Sequence, residues 1–222
     1  MVNMGVYVFD TAALCRAVSE DARRESAHDF GKNILPALIQ NDRVFAYPFV
    51  DENRKEILYW RDIGTLDSYY EASMDLVQIN PLFNLYDSSF PIHCFMETRP
   101  PVKTVFFEDD TNRTGVAINS LVCNGCIISG GRVERSILSP DVRINSHSLV
   151  QDSILFERVD VGRHAKIRRA IIDKDVRIPQ GFSIGHDPEE DGKRFTITPN
   201  GIVVISKGEQ ITRDPTETLL IK

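Results

Sequence analysis

Two short motifs carry the residues best suited to chemistry. In YWRDIGT, Tyr59 to Thr65, Asp62 follows a short apolar run and sits just ahead of a helix start at Thr65. A loop carboxylate in that setting can meet a phosphate-bound divalent cation, although it can equally cap a helix or pair with Arg61. In HDFGKNILP, His28 to Pro36, Asp29 and Phe30 stand side by side, followed by Lys32. Trp60 and Phe30 can form apolar walls for a sugar ring, with Tyr7 and Asp29 as hydroxyl partners. Carbon faces pack on aromatic planes while hydroxyls need directional acceptors. Tyr7 and Phe30 can also be plain core residues, and Lys32 either answers a phosphate or faces solvent.

A second group is basic: Arg158, Arg163, Lys166, Arg168 and Arg169. Guanidinium groups grip phosphates bidentately, so the cluster is either an anion site on successive rungs or a solvated basic face. Cys123 and Cys126 form a lone CxxC with no second pair, which is weak support for zinc or redox work. The four cysteines read as reduced thiols. His147, His164 and His186 lack the spacing of a zinc site.

These residues must be positioned by elements, and the strongest pattern lies between Ile128 and Ile184. Stepping five or six residues at a time reaches Val133, Leu138, Ile144, Leu149, Leu155, Val161, Ile167, Ile172 and Ile178, all branched aliphatics. Two residues before each lies a mostly small side chain, with His147 in one of these inward slots. That period predicts a hexapeptide parallel β-helix of about three triangular coils. Pro140 and Pro179 exclude a helical reading, and an antiparallel meander would not hold one phase for so long. Upstream, Met4–Phe9 reads as a buried strand, Thr11 to about Asp21 as a helix capped at Asp10 or Thr11, and a second helix follows Asp29–Gly31. Arg43–Val50 and Glu56–Trp60 read as strands, and Thr65 caps a third helix. Strands alternating with amphipathic helices imply an α/β layer, too small here to be a whole domain of that class. The expected division is 1–80 as part of an α/β domain, 81–112 as a proline-interrupted linker, and 113–222 as the solenoid. Within the last stretch, GHDPEEDGKR reads as an acidic turn, RFTITPNGIVVIS as a hairpin turning at Asn200-Gly201, and the final dozen residues as loose.

The totals are those of an ordinary globular chain: 222 residues, 42% hydrophobic and 26% charged. A net charge of −6 does not advertise nucleic-acid binding. No apolar run is long enough to span a bilayer and no signal-peptide pattern opens the chain, so neither nucleic acid nor membrane is expected as a partner and the expected location is cytoplasmic. The charge is uneven, with ten Lys/Arg against seven Asp/Glu between Arg132 and Arg177.

NMGVYVF, HDFGKNILP and YWRDIGT, in that order and ahead of a solenoid containing SGG and KIRRAIIDKDVRIP, closely resemble the C-terminal half of bacterial ADP-glucose pyrophosphorylase (glucose-1-phosphate adenylyltransferase). The likeness runs from Asn3 to about Lys207. It implies the C-terminal part of a Rossmann-like nucleotidyltransferase domain followed by a left-handed parallel β-helix that regulates and assembles the enzyme. It further implies the conversion of ATP and glucose 1-phosphate to ADP-glucose and pyrophosphate in glycogen biosynthesis, with Mg²⁺ held by Asp62. By the same resemblance Asp62 is catalytic, and Asn3, Tyr7, Asp29, Phe30, Trp60 and Asp62 bind substrate. Asn3 departs from the serine common at its position. Arg168 and Arg169 are implied to centre a site for phosphorylated allosteric effectors, and the assembly is implied to be a homotetramer.

The family's glycine-rich nucleotide loop has no counterpart in the chain, and Gly130-Gly131 belongs to the repeat. Its glutamate–lysine pair and second metal-binding aspartate are also missing. The expectation is therefore no turnover by this chain alone, whether it is a fragment or one piece of a split enzyme. Two other classes compete. A hexapeptide acyltransferase would need a catalytic histidine at a coil edge, for which His164 is a weak fit. A non-catalytic regulatory subunit would not need the intact Asp62.

Overall fold

The computed structural model describes residues 3–50, 58–93, 95, 97–107 and 113–212, in two compact units that divide between Asp62 and Ile63.

In the first unit, α1 spans Thr11–Asp21. The Asp10 carboxylate accepts from Ala12 N and Ala13 N at 3.0 and 3.1 Å, satisfying two of the donors that a helix start leaves open. Beyond its end, the Asp21 carboxylate accepts from Ser26 and meets His28 Nδ1 at 2.8 Å; the His28 bond holds it below the usual carboxylate range. A π-turn over Phe30–Ile34, capped by Asp29, leads into α2, Leu35–Asn41. Pro36 is accommodated in its first turn, where no amide donor is needed.

Ala17, Ile34 and Leu38 form the unit's core, with Phe9 and Phe30 against it. The strands expected over 4–9 and 43–50 are not formed; the latter contributes only a single bridge residue at Val50. Val6 and Val8 stand 77% and 99% exposed, because a strand without ladder partners has no face to bury. The third expected strand fails over 58–60, and its first residues lie outside the described ones, as does Cys94.

The second unit opens with α3, Leu66–Asp75, held by a reciprocal capping box between Thr65 and Ser68. Residues 76–102 hold no further helix or strand where they are described. The solenoid then begins at β1, Lys103–Phe107, with β2 (Arg113–Thr114) folded back against it. Its first turn is completed by β3 (Val116–Ile118) and β4 (Leu121–Val122). The next turn runs through β5 (Ile127–Ser129), β6 (Arg132–Glu134) and β7 (Ile137–Leu138). The third holds β8 (Arg143–Ile144), β9 (Leu149–Gln151) and β10 (Ile154–Leu155). The fourth holds β11 (Asp160–Val161), β12 (Lys166–Arg168) and β13 (Ala170–Ile172). After β14 (Arg177–Ile178) and β15 (Ser183–Ile184), helix α4 (Pro188–Arg194) and the hairpin β16 (Thr196–Ile197) and β17 (Val203–Ile205) close the chain's described part.

Three parallel sheets result, each five rungs deep: β1-β5-β8-β11-β14, β3-β6-β9-β12-β15, and β4-β7-β10-β13-β17. The solenoid is thus longer than the three coils expected, since β1 starts inside the stretch read as linker and β17 supplies a fifth rung. Just before β1, Arg99 is ion-paired with Asp141 and Gly125 N donates to Pro100 O at 2.7 Å. GHDPEEDGKR is helix rather than turn: Asp187 accepts from Glu189 N and Glu190 N, and Pro188 takes the first position. The hairpin forms as read, with Gly201 at φ +76.

Each coil turns its corners with residues in the left-handed backbone region, recurring every 17 residues as Gly130, His147, His164, Gly181 and as Arg135, Asp152, Arg169. Inside, Ile128, Val133, Leu138, Ile144, Leu155, Val161, Ile167, Ile172 and Ile184 are all completely buried. The ladder deviates at one rung. Val150, not Leu149, is the buried residue, and Val150 pairs with Val133 and Ile167. Ser148 takes the small slot and His147 is exposed at the corner, stacked on His164 with ring centroids 4.8 Å apart. The two-residue alternation carries the correction: a slip of one position exchanges inward and outward side chains.

Candidate functional site

The π-turn is the scaffold of the site. Asp29 precedes it with extended backbone, and its Oδ1 accepts from Lys32 N at 2.8 Å, while its own N–H donates to Asn33 Oδ1 at 3.2 Å. One carboxylate oxygen thus fixes the turn, and a carboxylate offers more acceptor positions than that bond uses. Asn3 and Tyr7 form a second pair, with the amide Nδ2 2.8 Å from the phenol oxygen and Oδ1 3.1 Å from it. Gly5 N donates to the same Oδ1 at 2.9 Å. Tyr7 stacks on Phe30 with centroids 5.7 Å apart, and Phe9 closes the aromatic triangle.

Gly31 lies where these pairs meet. A Cβ there would stand 3.3 Å from Asp29 Oδ1 and 3.7 Å from Asn3 Nδ2. Asn3, Tyr7, Asp29 and Phe30 therefore gather as a half-buried aromatic wall edged by an amide, a phenol and a carboxylate. Trp60 and Asp62 lie in the same compact unit, on an exposed stretch without strand or helix. Lys32 is also exposed. Among the described residues no three His, Cys, Asp or Glu side chains gather as a metal cage.

The basic residues do not form one cluster on successive rungs. All five lie within a single turn of the coil, and Arg158, His164 and Arg169 mark its three corners. Arg158 is ion-paired with Asp175 and Glu157, which raises its pKa. The Lys166 and Arg168 side chains project outward from β12, with no side-chain hydrogen bond or ion pair among the described residues. Beside them, burial and then the charges of Arg168 and Lys166 hold His186 below its usual range. Arg169 is committed elsewhere: its Nη2 donates to Asn200 O at 2.9 Å and its guanidinium lies 6.0 Å from the Tyr70 ring. The CxxC pair divides, with Cys123 exposed and Cys126 buried, its thiol donating to Ser139 O and pushed up to about 11 by burial.

A nucleotidyl transferase family model matches residues 1–79, and a GlmU-like C-terminal hexapeptide model matches residues 100–205. The glucose-1-phosphate adenylyltransferase of Koribacter versatilis is 49% identical over 216 residues, covering 97% of this chain and 51% of that protein. Those of Rhodopirellula baltica and an Anaeromyxobacter species are 51% and 52% identical over 230 and 217 residues. The first covers 99% of this chain and 52% of its relative, the second 95% and 53%. The chain is a homologue of the C-terminal half of glucose-1-phosphate adenylyltransferases. It spans about half the length of the curated relatives it matches. In this adenylyltransferase homologue the π-turn site falls within the nucleotidyl transferase match, and every rung from β3 to β17 falls within the hexapeptide match. No helix among the described residues is long and apolar enough to cross a membrane.

Proposed function

We propose that this chain supplies the sugar-phosphate side of a glucose-1-phosphate adenylyltransferase, which joins glucose 1-phosphate to the α-phosphorus of ATP and releases pyrophosphate. The observation that carries the reading is the convergence of Asn3, Tyr7, Asp29 and Phe30 on one turn. Phe30 and Tyr7 offer a flat apolar wall to a pyranose face, and Asp29 and Asn3 offer acceptors and donors to its hydroxyls. Trp60 supplies a second wall and Asp62 the carboxylate directed at the phosphate. The chain's part in the reaction is to hold the sugar phosphate so that its oxygen is in line with the nucleotide.

A single exposed carboxylate fits Mg²⁺, which takes one or two protein carboxylates and completes its shell with substrate phosphates and water. Asp62 is the residue that would hold it, and the ion would neutralise phosphate charge. ATP is gripped by a glycine-rich half not contained in the matched residues, so the chain alone is expected to release no pyrophosphate. Phosphorylated effectors are drawn to the outward Lys166 and Arg168 near Arg169, and the working assembly is a cytoplasmic homotetramer.

The test is calorimetric titration of the chain with glucose 1-phosphate, with Asp29→Ala and Tyr7→Ala beside it. Binding that weakens at least tenfold in both variants supports the reading. Binding that neither variant alters, or no binding in the wild type, refutes it. Pyrophosphate release by the wild-type chain with ATP, glucose 1-phosphate and Mg²⁺ would overturn the assignment of nucleotide binding to another half.

A further inference from the structure

The left-handed corners of the coil fall into three columns, and two of these are joined side chain to side chain. In one, the Arg135 guanidinium donates to both carboxylate oxygens of Asp152, at 2.7 and 2.9 Å. In another, Arg158 donates to both oxygens of Asp175, at 2.5 and 3.1 Å. Each pair ties one turn of the solenoid to the next, 17 residues on. The third column reads Gly130, His147, His164 and Gly181, so its two side chains are imidazoles.

The backbone sets these two imidazoles in register. His147 N donates to Gly130 O at 2.8 Å, His164 N to Ser146 O at 3.1 Å, and Gly181 N to Arg163 O at 2.7 Å, so each corner rests on its neighbour. Both histidines have the same left-handed conformation, φ +61 and +59. Their rings lie 13° from parallel with centroids 4.8 Å apart. Both are exposed, and neither ring makes a hydrogen bond or ion pair among the described residues. The glycines at either end of the column place no side chain over the pair. A separation of 17 residues is too long for a local zinc motif, yet it is one turn of this coil and brings the rings face to face.

We propose that His147 and His164 form a two-histidine site for a divalent transition-metal ion of the Zn²⁺ class, which clips the third turn of the solenoid to the fourth as the Arg–Asp pairs do at the other corners. Neutral imidazole offers one lone-pair nitrogen per ring, and imidazole selects zinc, copper and nickel over oxygen-seeking Mg²⁺. Tetrahedral zinc holds nitrogens at about 2.0 Å, hence about 3.3 Å from each other. Exposed rings whose centroids are 4.8 Å apart reach that spacing by turning about χ2. Among the described residues no third His, Cys, Asp or Glu side chain gathers with them, so water completes the shell and the ion exchanges freely. The exposed Arg163 beside His164 opposes a cation, but solvent screens that repulsion and does not screen the metal–nitrogen bonds.

The test is calorimetric titration of the chelator-stripped chain with ZnCl₂, in the wild type, His147→Asn, His164→Asn and the double variant Cys15→Ser/Cys123→Ser, which removes the exposed thiols. Asparagine visits the left-handed region, so the corner variants delete a ligand and keep the turn. One Zn²⁺ per chain is expected, weakened roughly tenfold or more by either corner variant and unchanged by the cysteine variant. Excess Mg²⁺ should not displace it. The wild type gives a readout that needs no variant: saturating Zn²⁺ should slow diethylpyrocarbonate modification of His147 and His164 together, roughly fivefold, and leave the exposed His93 unchanged, as mass spectrometry records. No Zn²⁺ binding by the wild type, binding that survives either corner substitution, loss confined to the cysteine variant, or equal slowing at His93 overturns the proposal. Glucose 1-phosphate is absent throughout, so the outcome is independent of the sugar-phosphate reading.

Discussion

Val150 is completely buried between Val133 and Ile167 on the stacked rungs, while its neighbour Leu149 is only half-buried. Truncating a buried aliphatic side chain loses transfer free energy and leaves a cavity. Val150→Ala is therefore expected to cost about 2 kcal/mol in urea unfolding, and Leu149→Ala less than about 1 kcal/mol. Equal costs would mean that the ladder passes through position 149 after all. The five-or-six-residue period located the other ladder positions because each is a branched aliphatic flanked by polar residues. At Leu149-Val150 two aliphatics are adjacent, and composition cannot choose between them; only the backbone alternation does. The same local ambiguity placed His147 inside, when Ser148 is the side chain small enough for the interior. Cys126 illustrates a residue whose place the pattern did reveal. Its slot is an inward one, and burial raises its thiol to about 11, so little thiolate exists at ordinary pH. Iodoacetamide at pH 8 is expected to modify Cys15 and Cys123 in the folded chain and to reach Cys126 only on unfolding, as mass spectrometry would record. Prompt alkylation of Cys126 would contradict its burial.

At the scale of elements, helices were legible where a cap and a spacing agreed. Asp10, Asp29 and Thr65 each accept a backbone N–H at a helix start or turn, and each stands out as a polar residue ahead of an apolar stripe. Strands of the first unit were misread because β propensity reports fitness for a pleated surface, and no ladder exists there to make one. Helix α3 packs Tyr69, Tyr70 and Met74 against Ile137, Ile154 and Ile171 of the solenoid, and the sequence carries a sign of that cover. Ile137-Leu138, Ile154-Leu155 and Ile171-Ile172 are apolar at both the inward and the outward position, which marks a sheet covered on both faces. Helix α4 was missed because its acidic composition resembles a solvated turn, although Asp191 is 4% exposed and accepts from Gly185 N at 2.8 Å. Burial raises the Asp191 carboxyl above its ordinary 3.8. Below that value the group is protonated in both folded and unfolded chains, and its contribution to stability is fully present. As pH climbs through the raised native value, the unfolded chain ionises more readily and that contribution is lost. Asp191→Asn does not titrate, so its stability relative to the wild type should rise across this window and then level off. Urea midpoints of the two chains from about pH 3.5 to pH 7 test this; a difference that stays flat, or falls, excludes the burial account.

The whole molecule joins two units with very different means of support. The solenoid buries a continuous column of twenty residues from Cys126 to Ile205, each rung resting on the next. The first unit has Ala17, Ile34 and Leu38 as its buried core, and large apolar side chains such as Val8, Phe45 and Tyr47 remain 99%, 85% and 73% exposed. Apolar burial contributes about 25 cal/mol per Å², so a core of three among the described residues offsets little chain entropy, while stacked rungs add nearest-neighbour terms along the coil. Unfolding of this chain should therefore not be a single two-state transition. Native-state hydrogen exchange is expected to show amides of α1 and α2 opening at low free energy. Those of β7, β10 and β13, covered by α3 outside and by the ladder inside, should open only with the whole coil. Between these extremes the end rungs β1 and β14 should open earlier than β8, because beyond β1 lies only the two-residue antiparallel β2, and beyond β14 only a single parallel bridge from Arg177 to Gln210 among the described residues. Adding the nucleotide-binding half of a related adenylyltransferase should raise protection in α1 and α2 while leaving β10 unchanged, if the exposed side chains of the first unit are a surface that this half covers. Uniform exchange free energies from α1 through β13 would show instead that both units fold as one body, and protection in α1 that ignores the added half would show that those apolar side chains serve no such contact.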